Sequence, residues 1–555
     1  MARSPLMKSL RRAYAIARES VKTGIPTDEL VDILQHRTTR RRLIYGGLGL
    51  ASAVATTTWH GGRDTAAYGS VSKVLVVGAG IAGLTAAYNL RQAGVPVDII
   101  EARKRIGGRM LSLKNALGTS NTVELGGEFI DTGHSRLRRL AKKLGLTVVD
   151  VLATDQGLTP EIWYFQGRQI SETEIINYFT PLAQRIEQDL GYIGDDSITY
   201  RSYSQAAFAL DNTSIAQYLD LVQINPILRE MLRVAYTAEY GREPEEQSSL
   251  NLLLLIGTET DQFTVFGESD ERYTIVGGND QVPKLLAQSL ANNIEINTQL
   301  EAINSSSDGR YRVSLRSGGR AFVRTYERIL LTLPFSTLRL VALNIYLPPV
   351  KRNAIAELGY GTNAKLITSY EKRLWRNQYG SNGSTFTDTG FQTTWEPSRY
   401  QTASKGLITN FSGGQNGLLL GRNSADYTKR FLPQLDRIFP GIRNVYRQAT
   451  TAYWPGEEYT RGAYACYLVG QWTRLAGSEQ QRVGNIFFAG EHCSLSFQGY
   501  MEGGCRTGEV AAKRILKDLG VNIPTQQEQP ITNNPVFRNR RMNRQQRLGD
   551  DFTDE

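Results

Sequence analysis

The chain changes its hydrophobic period abruptly just before residue 80. Lys73 to Val77, "KVLVV", is a β-branched apolar run of strand type that gives way to Gly78, Gly80 and Gly83. The next stretch, "LTAAYNLRQAG", repeats apolar residues at helical spacing, and "VPVDII" returns to a strand pattern ending at Glu101. A second strand-to-helix switch lies near the far end, where Asn485–Ala489 leads through Gly490 and Glu491 to a helix beginning near Tyr500, Met501 and Glu502. Outside these units the pattern weakens. "PLMKSLRRAYAIARES" has apolar positions at helical spacing among basic ones, a pattern open to a membrane-surface helix or a plain leader. The tail from residue 521 is polar with little periodicity and is expected to be disordered.

Strand, glycines, helix, strand and terminal acid together form a dinucleotide-binding unit. Gly78 permits the tight turn, Gly80 lets backbone approach a pyrophosphate, and Gly83 lets helix and strand pack closely. The phosphates then face the positive end of the helix. Glu101 sits where a carboxylate accepts the ribose hydroxyls. Ala82 and Ala102 belong to the same expected shell. No second such unit occurs, so one dinucleotide is expected, and the glycine turn alone leaves open whether it is a nicotinamide cofactor or a flavin.

Composition narrows the reading only modestly. The chain has 555 residues, 41% of them apolar, enough for a buried core. Its net charge of +10 is concentrated in a basic leader, since residues 1–42 hold ten Lys/Arg against four acids. What remains is too diffuse to suggest nucleic acid. Cys466, Cys493 and Cys505 show no Cys-x-x-Cys spacing and four histidines are scattered, so a metal site or disulfide framework is not expected. Thr39-Arg40-Arg41-Arg42-Leu43-Ile44, the Gly/Ala-rich stretch after it and the small residues Ala53 and Ala55 resemble a twin-arginine export signal. That predicts a periplasmic or membrane-associated protein.

"ARKRIGGRM" directly after Glu101 resembles the flavin amine oxidase superfamily rather than nicotinamide dehydrogenases. Four further segments match that family in order: "ELGGEFIDTGH", "VGGNDQVPKLLAQSLANNIEINTQLEAI", "TLPFSTLR" with "AKLITSYEKRLW", and "NIFFAGEHCSLSFQGYMEGGCRTGEVAAKRIL". The resemblance implies a noncovalent FAD. Arg103 would lie by the adenosine ribose, Gly107 and Gly108 would allow close backbone approach, and Arg109 would reach the pyrophosphate. Gly126, Gly127, Glu128 and Phe129 would flank the ring, with Phe129 also facing substrate. The backbone of Leu300 would pair with adenine, and Gly490, Glu491 and the amide of Met501 would close the site. Lys365 falls on the family's flavin-facing lysine. Tyr464 and Tyr500 match the two tyrosines of the aromatic cage in monoamine oxidases. Ala463 stands where covalently flavinylated members carry cysteine.

The expected fold is α/β: a discontinuous Rossmann-like FAD domain (71–140, 270–345, 450–520) and an inserted α+β substrate domain (141–269, 346–449), after a leader at 1–70. The expected reaction is oxidative deamination of a primary amine or basic L-amino acid, with dioxygen or a membrane quinone as acceptor. Amino-acid oxidases of the venom and fungal type carry Gly-x-Met-Arg where this chain has Gly127-Glu128-Phe129, which weakens the amino-acid reading. A desaturase or porphyrinogen-type oxidase and a non-catalytic flavoprotein remain alternatives. A homodimer and peripheral membrane contact are left open.

Overall fold

A computed structural model describes Ala17 and residues 73–194, 197–256 and 270–521. The export-like leader motif and the polar tail lie outside the described residues. Among the described residues no helix is long and apolar enough to cross a membrane. The strand Val74–Val77 sits at the centre of a five-stranded parallel sheet, between Val97–Ile100 and Arg328–Leu331, with Ile294–Glu295 and Ile486–Phe488 at the edges. A parallel sheet covered on both faces needs continuous apolar strands, which explains the unbroken "VLVV". Val74 and Val76 pack into one core with the helices Ile81–Gln92 and Met501–Asp518; Leu75 and Val77 pack into another on the opposite face.

Those two helices cross closely because their contact face carries glycines. A Cβ on Gly504 would lie 2.8 Å from Ile81 Cγ2, and one on Gly508 would lie 2.3 Å from the carbonyl oxygen of Ala82; Gly83 serves the helix–strand packing instead, where a Cβ would lie 2.0 Å from the carbonyl oxygen of Gly78. The sheet strands come from residues 74–100, 294–331 and 486–488, so the cofactor unit is assembled from separated chain segments. A four-stranded sheet, built on Thr298–Ser305, Tyr311–Ser317 and Arg320–Tyr326 with Ala342–Asn344 at one edge, covers one side.

The second region is built around a seven-stranded sheet in which Ala364–Tyr370 lies between Gly406–Ser412 and Tyr446–Tyr453. That sheet reaches past residue 449, since Tyr453 still pairs with Ala364. Its helical layer includes Glu172–Ile193, capped by a reciprocal Ser171–Glu174 box, and Pro226–Tyr240, which starts on Asn225 with proline at its first position. A separate apolar core gathers these helices.

Candidate active site

One cavity of about 510 Å³ runs between the two regions. It is lined at one end by Glu101, Arg103 and Leu300 and at the other by Phe129, Lys365, Trp395, Phe411, Tyr464 and Tyr500. Every residue that the sequence assigned to a site lines it except Gly83, whose place is the helix–strand packing described above. The glycine turn fits a dinucleotide. A Cβ on Gly80 would meet no protein atom within 4 Å, and Gly80 caps the helix Ile81–Gln92 with no acidic residue in its first turn. The space beside it is therefore the cavity, at the positive end of a helix. Gly108 approaches to 3.4 Å, measured from a Cβ built on it to the Cα of Gly80. Leu300 lies at a break in strand register between Leu300 and Ala302, where pairing with the neighbouring strand is interrupted.

The charged groups are mostly paired. Glu101 accepts from the amides of Ala79 at 3.0 Å and Arg103 at 2.9 Å, which fixes its carboxylate at the end of the strand. The guanidinium of Arg103 donates to Thr460 Oγ1 and is depressed below its ordinary value, chiefly by burial. Arg109 donates to the carbonyl of Ala463 at 2.7 Å and to Glu491 at 2.9 Å. Arg461 donates to the carbonyl of Glu458 at 3.1 Å.

Lys365, on the position of the family's flavin-facing lysine, is held by three acceptors. It projects from a strand that is buried throughout, and its Nζ donates to the carbonyls of Glu124 (3.0 Å) and Gly126 (2.9 Å) and to Glu128 Oε2 (2.7 Å). The other oxygen of Glu128 accepts from Trp395 Nε1 at 2.9 Å. Lys365, Glu128 and Trp395 thus form one hydrogen-bonded unit beside the aromatic end. Phe129, Trp395 and Phe411 form a row, with successive ring centroids 5.7 Å apart. The sequence reading missed Trp395 and Phe411, because an aromatic residue in a buried strand reads as core.

Tyr464 and Tyr500 approach from different segments. Tyr464 accepts at its carbonyl from the amide of Gly361 at 2.9 Å, and its hydroxyl donates to the carbonyl of Glu239 at 2.6 Å, near the end of the helix Pro226–Tyr240. Tyr500 caps the helix Met501–Asp518, and the ring of His134 stands edge-on to it at 5.0 Å. Burial depresses His134 to about 3, so this imidazole is neutral and its contact with Asp131 at 3.4 Å is not an ion pair at neutral pH. Glu502, in the first turn of the same helix, accepts from the amides of Arg136 (2.9 Å) and Leu137 (2.8 Å) and so caps a neighbouring helix. The three cysteines are free and buried.

Beneath Lys365, the side chain of Glu124 accepts from Asn279 N and Ser112 Oγ, each at 2.8 Å, and burial pushes it up to about 8. The unfolded carboxyl titrates near 4.5. The folded protein therefore keeps a proton that the unfolded chain releases between about 4.5 and 8, and stability falls as pH rises through that window and levels off above it. Glu124→Gln keeps an acceptor for Asn279 and offers a donor to Ser112. It is expected to remove a pH-dependent loss on the order of a few kcal/mol, which denaturant unfolding at both ends of the window measures. An unchanged slope would contradict the assignment.

The fold and this cavity define a flavoprotein oxidoreductase. The chain belongs to the flavin-containing amine oxidoreductase family, whose model matches residues 81–516. It is 24% identical over 479 residues to the flavin-containing amine oxidase of Oncorhynchus mykiss, covering 82% of this chain and 87% of that one. It is 25% identical over 463 residues to an L-amino acid dehydrogenase of Synechocystis sp., covering 80% and 94%. A putrescine oxidase solved with putrescine bound superposes with a TM-score of 0.70 at 21% identity, covering 80% of this chain and 99% of that one, a likeness of fold. The protein is thus an FAD-dependent oxidoreductase acting on amines or amino acids.

Proposed function

We propose that the protein oxidatively deaminates a primary amine, giving an imine that hydrolyses to an aldehyde and ammonia. The observation that carries this reading is the aromatic end of the cavity, where Tyr464 and Tyr500 face a lining of Phe129, Trp395 and Phe411. Each of the three cavity arginines is already engaged by a protein partner, so none of them stands ready to grip a substrate carboxylate. Glu128, bound to Lys365 and Trp395, is likewise committed and does not draw in a cation. Tyr464 and Tyr500 hold the uncharged amine with its α-carbon oriented, and the apolar rings keep water from that carbon. FAD, when bound, supplies the acceptor for the hydride that leaves the α-carbon. The first turn of Met501–Asp518 directs positive helix potential into the same space. Anaerobic mixing with a panel of amines and L-amino acids tests the reading: amines are expected to bleach the flavin, and bleaching confined to amino acids would overturn it. Reoxidation of the bleached protein by dioxygen or by a quinone then identifies the acceptor.

The cofactor is proposed to be noncovalent, because Ala463 offers no thiol for linkage. Its neighbour Cys466 is buried and lies near Asn251 Nδ2, at 3.8 Å. Acid precipitation is expected to release the whole flavin complement into the supernatant. Colour retained in the pellet would refute this.

A further inference from the structure

Two residues that family resemblance assigned to the cofactor also hold the backbone of two other loops in this chain. Glu491 Oε1 accepts from the guanidinium of Arg109 at 2.9 Å and from the amide of Ala465 at 3.2 Å, while Oε2 accepts from the amide of Gly499 at 2.7 Å. Arg109 also donates to the carbonyl of Ala463 at 2.7 Å. The backbone groups gripped are therefore those immediately before and after Tyr464 and the one immediately before Tyr500. One partly buried ion pair ties together the two loops that carry Tyr464 and Tyr500.

We propose that Arg109 and Glu491 form a clasp that positions Tyr464 and Tyr500 as a unit, making both positioning residues for substrate; the proposal rests on the amine-oxidising reading of the cage. The clasp is rigidly mounted. Gly490 adopts φ +142, where a Cβ would lie 2.5 Å from His492, and its amide donates to Thr507 Oγ1 at 3.0 Å, fixing Glu491 to the helix Met501–Asp518. On the other side, a Cβ on Gly126 would lie 1.7 Å from the carbonyl of Arg109, so the backbone of Arg109 is packed directly against the loop that carries Phe129. A carboxylate is needed rather than an amide, because Glu491 receives donors on both oxygens and an amide nitrogen would meet one of them donor to donor. Charge-assisted bonds of this kind are about twice as strong as neutral ones. A shorter side chain keeps the charge but cannot span both loops.

The test uses the FAD-loaded protein with Glu491→Gln and Glu491→Asp, alone and combined with Tyr464→Leu. Hydrogen exchange of the segments 462–467 and 498–502 is expected to quicken by about tenfold or more in both loops together for either variant. Each variant is loaded with FAD to the wild-type content before assay, and its reduction by dithionite is expected to match the wild type. Amine affinity and the limiting rate of amine-driven flavin reduction should both fall about tenfold, with no further loss when Glu491→Gln is added to Tyr464→Leu. Weakened FAD binding with both loops still protected would make Glu491 a cofactor ligand alone and overturn the clasp. So would loosening of one loop alone, wild-type behaviour of Glu491→Asp, or additive losses. If no amine bleaches even the wild type, the cage reading fails, and the exchange data still decide whether the clasp exists.

Discussion

Gly80→Val is expected to give a folded protein that purifies without FAD. Gly80 has ordinary dihedrals, φ −81 and ψ −178, which a β-branched residue adopts readily, and its Cβ position is free of protein atoms within 4 Å. The fold therefore loses nothing, and the side chain fills only the space where a pyrophosphate must approach the helix end. Added FAD raises the melting temperature of the apo wild type by mass action, and no such rise is expected for the variant. Gly83→Ala provides the opposite case. Its Cβ would lie 2.0 Å from a backbone oxygen, so helix and strand must separate, at a cost of about 1–3 kcal/mol or more. Flavin content and melting temperature thus separate two glycines that stand three positions apart. A flavin-loaded Gly80→Val would remove the assignment of this cavity end to the cofactor.

The cofactor half of the site was legible in the sequence because its parts are local. A strand, a glycine turn, a helix and a terminal acid follow within one continuous stretch, and each imposes a composition on its own residues. The segment after Tyr500 was legible for the same reason, since its glycines serve close contacts such as Gly508 on Ala82. The substrate half was not. Trp395 and Phe411 sit on neighbouring strands that are buried almost throughout, Phe411 alone being half-buried, and their sequence periodicity does not tell a wall of the cavity from the core. The pairing of Lys365 with Glu128 joins residues whose separate roles the resemblance supplied, and only the fold brings them to 2.7 Å. The same holds for Arg109 and Glu491, which motifs assigned to a phosphate and a flavin. The strand Ile162–Phe165 pairs with Thr385–Thr387, a contact between distant segments that no local pattern announces.

Tyr464→Leu and Tyr500→Leu are expected to slow amine-driven flavin reduction by one to two orders of magnitude, whereas Tyr→Phe at either position preserves most of the rate. The argument is orientation. A phenol is a poor base at neutral pH, so the hydroxyl is not expected to take the substrate proton, and what the ring contributes is a flat wall. The surroundings of the two rings differ. The Tyr464 hydroxyl donates to the carbonyl of Glu239 at 2.6 Å, so Tyr464→Phe loses a bond that ties the ring to the substrate-side helix and costs about 0.5–1.5 kcal/mol. Tyr500 is instead braced by the neutral ring of His134 at 5.0 Å, a contact that phenylalanine retains. FAD content should stay at the wild-type level in all four, because neither hydroxyl is part of the glycine turn or the Glu101 end. Rapid mixing of each anaerobic, flavin-loaded variant with the best amine measures these rates directly. A leucine variant that reduces as fast as the wild type would remove the cage, and with it the observation that carries the amine-oxidising reading.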